Sequence, residues 1–350
     1  MTKSTEKPRI FGTGLIALDL VIGLDNAAPV HSWTGGTCGN VLTIMGYLGW
    51  DAYPIARMNG DPASERVRVD LRKWNVHLDY TNCAPTGHTP IIIQQIKRAR
   101  DGSPTHRFLW TCPHCGQRLP SYRPVTQNAV EQIMPALSGA SVFFLDRVSR
   151  AAISLAAEAA RAGAIVIFEP SGKSDEKLFD EALQIAHIVK YSDQRLSDAG
   201  GAMIGSRPTL LEIQTLGSQG LRFRHSLSGT PSDWKTLPAL AAPQLVDTCG
   251  SGDWCTAGLL GAAARNGLKG ITEIGEGELT EALRYGQALA AWNCGFEGAR
   301  GGMYVLEKHE FARQIEAIMA GRPVLRVIER PHLPEASVAC PACPREVSVA

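Results

Sequence analysis

The residues best suited to chemistry lie in Val246-Asp247-Thr248-Cys249-Gly250-Ser251-Gly252-Asp253, just ahead of a helix of small residues. Gly250 and Gly252 let the backbone turn so that several N–H groups point to one spot. That spot falls at a helix N-terminus, where the dipole also favours an anion. A transferring phosphoryl group needs such a cradle, because its charge spreads over three oxygens. Asp253, in the first turn, is a carboxylate placed to accept the proton of an attacking hydroxyl. The alternative is a plain helix cap, since Ser or Asp ahead of a helix usually caps it. Ala257, Gly258, Gly261, Ala262 and Ala263 then allow close packing of the helix backbone.

A second chemical signal is the pair of Cys-Pro-x-Cys turns, Cys112/Cys115 and Cys340/Cys343. Each can present two thiolates to one tetrahedral ion, and together they make a closed four-ligand zinc set. The pairs are far apart in the chain, so the fold must bring them together. If it does, Zn²⁺ fastens the proline-rich tail to the insert 112–124. A redox dithiol is a weaker reading of Cys112/Cys115, because that chemistry wants a helix and Gly116, Pro120 and Pro124 break one. Ordinary thiols are the third reading, and His114 is a spare ligand. The other five cysteines (Cys38, Cys83, Cys249, Cys255 and Cys294) are scattered and read as small, semi-buried side chains.

Two further motifs fall short. Gly12-Thr13-Gly14-Leu15-Ile16-Ala17 imitates a dinucleotide fingerprint, but strand-like Asp19-Leu-Val-Ile22 follows where a helix is required. No Gly-x-x-x-x-Gly-Lys-Ser/Thr occurs, which argues against a P-loop ATPase.

The elements that must position these residues alternate between β-branched runs and Ala-rich helices. Strands are expected at 9–12, 90–96, 107–110, 141–146, 164–168, 188–189 and 210–215. Helices are expected at 150–162, 176–186, 252–266 and 279–293. The repeated order strand, helix, strand implies an α/β fold with a mostly parallel sheet covered by helices on both faces. The 90–96 and 107–110 strands have no helix between them and read as a β-flap outside the main sheet. Pro323, Pro331, Pro334, Pro341 and Pro344 exclude a long helix in the tail 322–350. The chain has 350 residues, 35 Lys plus Arg against 34 Asp plus Glu, and net charge +1. That balance gives no electrostatic reason to expect nucleic acid or an anionic membrane as partner. A hydrophobic content of 44% supports a globular core. No apolar run approaches a bilayer span, and the polar N-terminus lacks a signal-peptide core, so a cytoplasmic location is expected.

Taken together, four blocks resemble the ribokinase-like (PfkB) family of sugar and nucleoside kinases over about residues 9–320. Asp247-Thr-x-Gly-x-Gly-Asp253 resembles its second signature, with Ser251 where the family has Ala. Gly35-Gly36-Thr37-Cys38-Gly39-Asn40 resembles its substrate loop, with Asn40 opening the following helix. Gly60-Asp61 resembles the Gly-Asp after the next strand. Thr215-Leu216-Gly217-Ser218-Gln219-Gly220 resembles the turn lining its nucleotide site. The resemblance implies a ribokinase-like three-layer α/β/α domain over 1–321, with a β-lid from about 14–34 and 88–111. It implies an ATP- and Mg²⁺-dependent kinase acting on a hydroxyl of a sugar or nucleoside, and a homodimer paired through lid strands. Asp253 is then the base, and Gly250, Ser251 and Gly252 the anion hole. Asp19, Gly35, Gly36 and Asn40 contact substrate, and Thr215, Gly217, Gly220 and Asn293, with Gly295, contact the nucleotide.

One stretch departs from the family. Its Asn-x-x-Glu, linked to magnesium and phosphate, is here Ser192-Asp193-Gln194-Arg195. Asp193 can still act on Mg²⁺ through water, while Arg195 reverses a charge and can meet a phosphate. Glu169 sits at a strand's C-terminal end, where ligands meet open α/β sheets, and Lys173 is near it. This departure motivates a second expectation, a catalytically weak kinase fold serving as a ligand-binding or scaffold protein with a zinc module.

Overall fold

Runs such as Val142-Phe-Phe-Leu145 and Ile165-Val-Ile-Phe168 are apolar at every position, so neither face of the strands they form can meet water. The computed structural model describes residues 6–23, 30–58, 60–81, 88–100, 102–113, 115–173, 175–196, 208–227, 229–322 and 324. The first half of the chain forms β1 (Arg9–Thr13), β2 (Ala17–Ile22), β3 (His31–Gly35), α1 (Thr37–Tyr47), β4 (Asp51–Ile55), α2 (Pro62–Lys73), β5 (Ile91–Arg98), β6 (Pro104–Leu109), α3 (Gln127–Ile133), β7 (Val142–Leu145), α4 (Arg150–Arg161) and β8 (Ile165–Phe168). The second half forms α5 (Glu176–Leu183), β9 (Ile188–Ser192), β10 (Leu211–Thr215), β11 (Leu221–His225), β12 (Lys235–Leu237), α6 (Ser251–Ala263), α7 (Gly267–Glu273), α8 (Glu276–Asn293), α9 (Gly302–Val305) and α10 (Lys308–Met319).

The main sheet runs β12-β11-β10-β9-β8-β7-β1-β4. It is parallel from β4 to β10 and ends in the antiparallel β10–β11–β12 meander. Pro54, which has no N–H to give a ladder, sits on the edge strand β4. Successive side chains divide between two cores. Ile10, Phe144, Ile167 and Ile188 join α1, α6 and α8 on one face, while Phe11, Phe143, Val166 and Val189 join α3, α4 and α5 on the other. That alternation makes the expected three-layer α/β/α arrangement. The flap expected at 90–96 and 107–110 lies outside the main sheet, with strands of the 14–34 stretch that the resemblance also assigned to it. It is a separate sheet, β3-β2-β5-β6, in which β5 pairs with β2 in parallel and with β6 antiparallel.

Several boundaries differ from expectation. The helix expected at 252–266 ends at Ala263, and Gly267 opens α7. Asn40 does not open its helix. Gly36 is the cap residue of α1, and Asn40 lies inside the first turn. The tail cysteines Cys340 and Cys343, together with Cys83 and His114, lie outside the described residues. No helix among the described residues is long and apolar enough to cross a membrane.

Candidate active site

The 247–253 turn has the geometry that its glycines imply. Gly250 has φ +76°, and a Cβ there would lie 2.3 Å from the Ala299 carbonyl oxygen, so a side chain is excluded twice over. The loop is held from outside. The Asp247 carboxylate accepts from the amides of Cys249 (3.0 Å) and Gly298 (2.9 Å) and from Gln94 Nε2 (2.7 Å). His106 Nδ1 stands 3.6 Å from the same group. Gln94 belongs to β5 and His106 to β6, so the second sheet grips the loop directly. Burial opposes the Asp247 charge, yet His106 and the two amides hold its carboxyl below the usual carboxylate range.

Trp254 N–H closes the first helical bond onto Gly250, and Ser251 N–H reaches Thr248. The amides of Gly250, Gly252 and Asp253 reach no acceptor among the described residues. Three donors at the start of a 13-residue helix are what an anion hole requires. Close packing sets the height of that helix. A Cβ on Gly258 would lie 2.5 Å from the Gly286 Cα, so α6 and α8 touch through bare backbone.

Asp253 Oδ2 accepts from Asn40 Nδ2 at 2.7 Å, joining two motifs that lie at opposite ends of the chain. Burial, and then the charge of Glu169, push the Asp253 carboxyl up to about 8; Asn40, Lys190 and Arg195 oppose this. A carboxylate tuned to that range is well matched to take a proton near neutral pH. Asp19 sits in β2, opposite Trp33 of β3, and is 4% exposed. A Cβ on Gly35 would fall 1.8 Å from the Asp19 carboxyl carbon, so glycine there makes room for this acid. Gly36, at φ +75°, donates its N–H to Asp19. Burial raises the Asp19 carboxyl to about 7, with Arg300 and Gly36 opposing, and its Oδ1 has no partner among the described residues. An unpartnered buried carboxylate oxygen beside a cradle is suited to a ligand hydroxyl.

Thr215 ends β10, and the turn to β11 closes through Leu216 N–H onto Gly220 (2.8 Å). Gly217 and Gly220 have φ +58° and +97°. Glu169 just past β8, and Ser192 and Thr215 at the ends of β9 and β10, share one edge of the sheet, the carboxyl edge that binds ligands in such folds. Asn293 lies beneath the 247–253 turn, and its Oδ1 has no partner among the described residues. It is fully buried, and its Nδ2 donates to the Cys249 carbonyl (3.1 Å), so it shapes the anion-hole loop. Lys173 is exposed, with its ammonium 5.3 Å over the Phe179 ring. Cys112 is buried and Cys115 exposed. Gly116 N–H turns back to the Cys112 carbonyl (2.9 Å), and the Thr111–Arg118 bridge closes the turn. No group of three or more metal-ligating side chains gathers among the described residues.

Sequence reasoning missed two charged residues at the site. Lys190, in β9, has a nearly buried side chain paired to Glu169 (2.5 Å). Thr256 of α6 donates to the second Glu169 oxygen (2.7 Å), tying strand to helix. Burial works against the Lys190 charge, but Glu169 beside it holds the ammonium above its usual range. A lysine inside the apolar run Ile188-Val-Lys-Tyr191 was the available signal. Arg300, fully buried, had none beyond being a charge in a glycine-rich stretch.

A glycine turn at a helix start, a buried carboxylate beside it and a two-sheet α/β frame together make a ribokinase-like fold. The chain belongs to the pfkB family of carbohydrate kinases, whose family model matches residues 23–304. That membership makes it a carbohydrate or nucleoside kinase in class. It is 28% identical over 278 residues to a fructokinase of Klebsiella pneumoniae, covering 71% of this chain and 84% of that protein. Its fold is similar to that of a Xylella fastidiosa fructokinase solved with bound ATP, at TM-score 0.67 and 17% identity, covering 90% of this chain and 99% of the other. It is also similar to an Arabidopsis thaliana ribokinase complexed with ribose and ATP, at TM-score 0.61 and 18% identity, with the same coverage of 90% and 99%.

Proposed function

We propose that this chain transfers the γ-phosphoryl group of ATP to a hydroxyl of a free sugar, with a nucleoside as the other acceptor class. The observation that carries this reading is the Asp253 carboxylate. It lies in the first turn of α6, beside three undirected amides and one hydrogen bond from Asn40. Asp19 and Asn40 hold the acceptor's hydroxyls, and Gly35 and Gly36 give those groups room. Asp253 takes the proton of the attacking hydroxyl as its oxygen forms a bond to the γ-phosphorus. The bond from that phosphorus to the bridging oxygen breaks, and ADP leaves. The free amides of Gly250, Gly252 and Asp253 face the charge that grows on the phosphoryl oxygens, while the Ser251 amide is held by the Thr248 carbonyl. The nucleotide lies along the Thr215, Gly217 and Gly220 turn. Mg²⁺ neutralises phosphate charge when bound. Glu169 is engaged by Lys190 and Thr256, which leaves exposed Asp193 as the residue to hold the ion through water.

On sequence spacing, Cys112 and Cys115 together with Cys340 and Cys343, the latter two outside the described residues, are the candidate ligands of a four-thiolate Zn²⁺ site, and the outer edge of β6 is the surface for pairing with a second copy. An ATP-consumption screen over hexoses, pentoses and nucleosides tests the main reading. Turnover of one acceptor supports it. Silence across the panel, with acceptor binding retained, favours the ligand-binding alternative raised by Ser192 and Arg195.

A further inference from the structure

Arg300 belongs to none of the motifs above, yet it is hydrogen-bonded to Asn40 of the site and to Thr34 and Asp70 beside it. Its guanidinium is completely buried. Nε donates to Asn40 Oδ1 at 3.1 Å, and Nη2 donates to Asp70 Oδ2 at 2.9 Å and to the Thr34 carbonyl. Asp70 is held in turn by Thr34 N–H (2.8 Å) and the Tyr304 hydroxyl (2.8 Å). The guanidinium therefore has little freedom to turn.

Its chemistry decides something about Asn40. A side-chain amide has one acceptor end and one donor end, and arginine only donates. Arg300 must therefore face Oδ1, which leaves Nδ2 to face Asp253. The reverse orientation would set amide hydrogens against guanidinium hydrogens and a second acceptor against the Asp253 carboxylate. We propose that Arg300 is a positioning residue of the phosphoryl transfer: by fixing the Asn40 amide it keeps a donor on Asp253. This deepens the kinase reading and rests on it. The charged and titratable groups facing Asp253 are Glu169 past β8, Lys190 of β9, Arg195 past β9 and the thiols of Cys38 and Cys249, with Asn40 supplying a neutral donor from α1. Those facing Arg300 are Asp19 of β2, Asp70 of α2 and Tyr304 of α9.

The test is Arg300→Lys in the full chain. Lysine keeps the charge beside Asp70 but has no Nε–H for Asn40. We expect kcat to fall about 10- to 100-fold with KM for ATP within about twofold, since the lost contact acts on the base and not on the nucleotide. The acid limb of the kcat/KM profile should move up by about one pH unit, because a donor to the charged form is lost. In an Asn40→Ala background the same change should add less than about threefold. Losses that multiply across the two variants, with the acid limb unmoved, overturn the proposal.

Where Arg300→Lys does not fold, Asn40→Ala reads the contact from the other side. The Arg300 Nε–H signal should shift and exchange at least about tenfold faster, and an unchanged signal overturns the proposal. A separate arm covers failure of the kinase reading itself. If the native chain turns over no acceptor, a ¹³C-carboxyl titration of Asp253, assigned with Asp253→Asn, still decides. An upward move in Arg300→Lys supports the proposal, and an unmoved titration overturns it.

Discussion

Replacing Asp253 by Asn keeps the side chain's shape and its acceptor oxygen for Asn40, and removes only the basic oxygen. A positioned general base is worth about 10²- to 10⁴-fold. We expect kcat to fall about 10³-fold, with acceptor binding nearly unchanged. The same substitution should stabilise the fold. The Asp253 carboxyl is pushed from 3.8 to about 8, chiefly by burial and then by Glu169. Between those values the folded chain keeps a proton that the unfolded chain has released, so stability falls as pH rises through that window. Each unit is worth about 1.4 kcal/mol, which sets a ceiling of about 6 kcal/mol. The residue is partly reached by solvent, which cuts the effect to the order of 1–3 kcal/mol. Urea unfolding at pH 5.5, 7 and 8.5, followed by tryptophan fluorescence, measures it. The variant should exceed the native chain by a margin that widens with pH and levels off above about 8. Parallel stability curves, or a variant retaining more than about a tenth of native kcat, would refute the reasoning.

Further outcomes follow from the same geometry. Gly250→Ala should lower the melting temperature by several degrees and abolish turnover, since it meets both a positive φ and the Ala299 carbonyl; native-like melting and rate would dispose of the anion-hole geometry. Lys190→Met leaves Glu169 without its cation and should destabilise the fold by about 3–5 kcal/mol in chemical unfolding, while an unaltered midpoint would show the pair to be idle. Elemental analysis of the purified chain should find about one zinc per chain, falling in Cys112→Ser and Cys340→Ser, and a native value near zero ends the four-thiolate idea.

Local rules carried the sequence reading where they were strong. The all-apolar strands around 142–145 and 165–168 and the Ala-rich helix at 150–161 have one stable use each: buried parallel strands and an amphipathic cover. The 247–253 turn was legible because only glycine accepts φ +76° beside another backbone. Helix ends were less so. Gly267, directly after the helix expected at 252–266, begins α7, because glycine serves either side of a break. Asn40 reads equally as a cap or as a ligand in one dimension, and only its 2.7 Å bond to Asp253 separates the two.

What the chain determined by itself was the set of chemical parts and the layers that carry them: an acid, a glycine turn, a Gly-Gly loop ahead of α1 and a mostly parallel sheet. Tertiary structure alone decided which parts meet. Asn40 reaches Asp253, Arg300 reaches Asn40 and Asp70, and Gln94 and His106 of the second sheet reach Asp247. The reason is physical. A turn or a helix is set by neighbours a few residues away, whereas these contacts join residues roughly 140 to 260 positions apart. Such partners are chosen by the packing of layers and by the need to satisfy buried charge, and neither leaves a periodic trace in the order of residues.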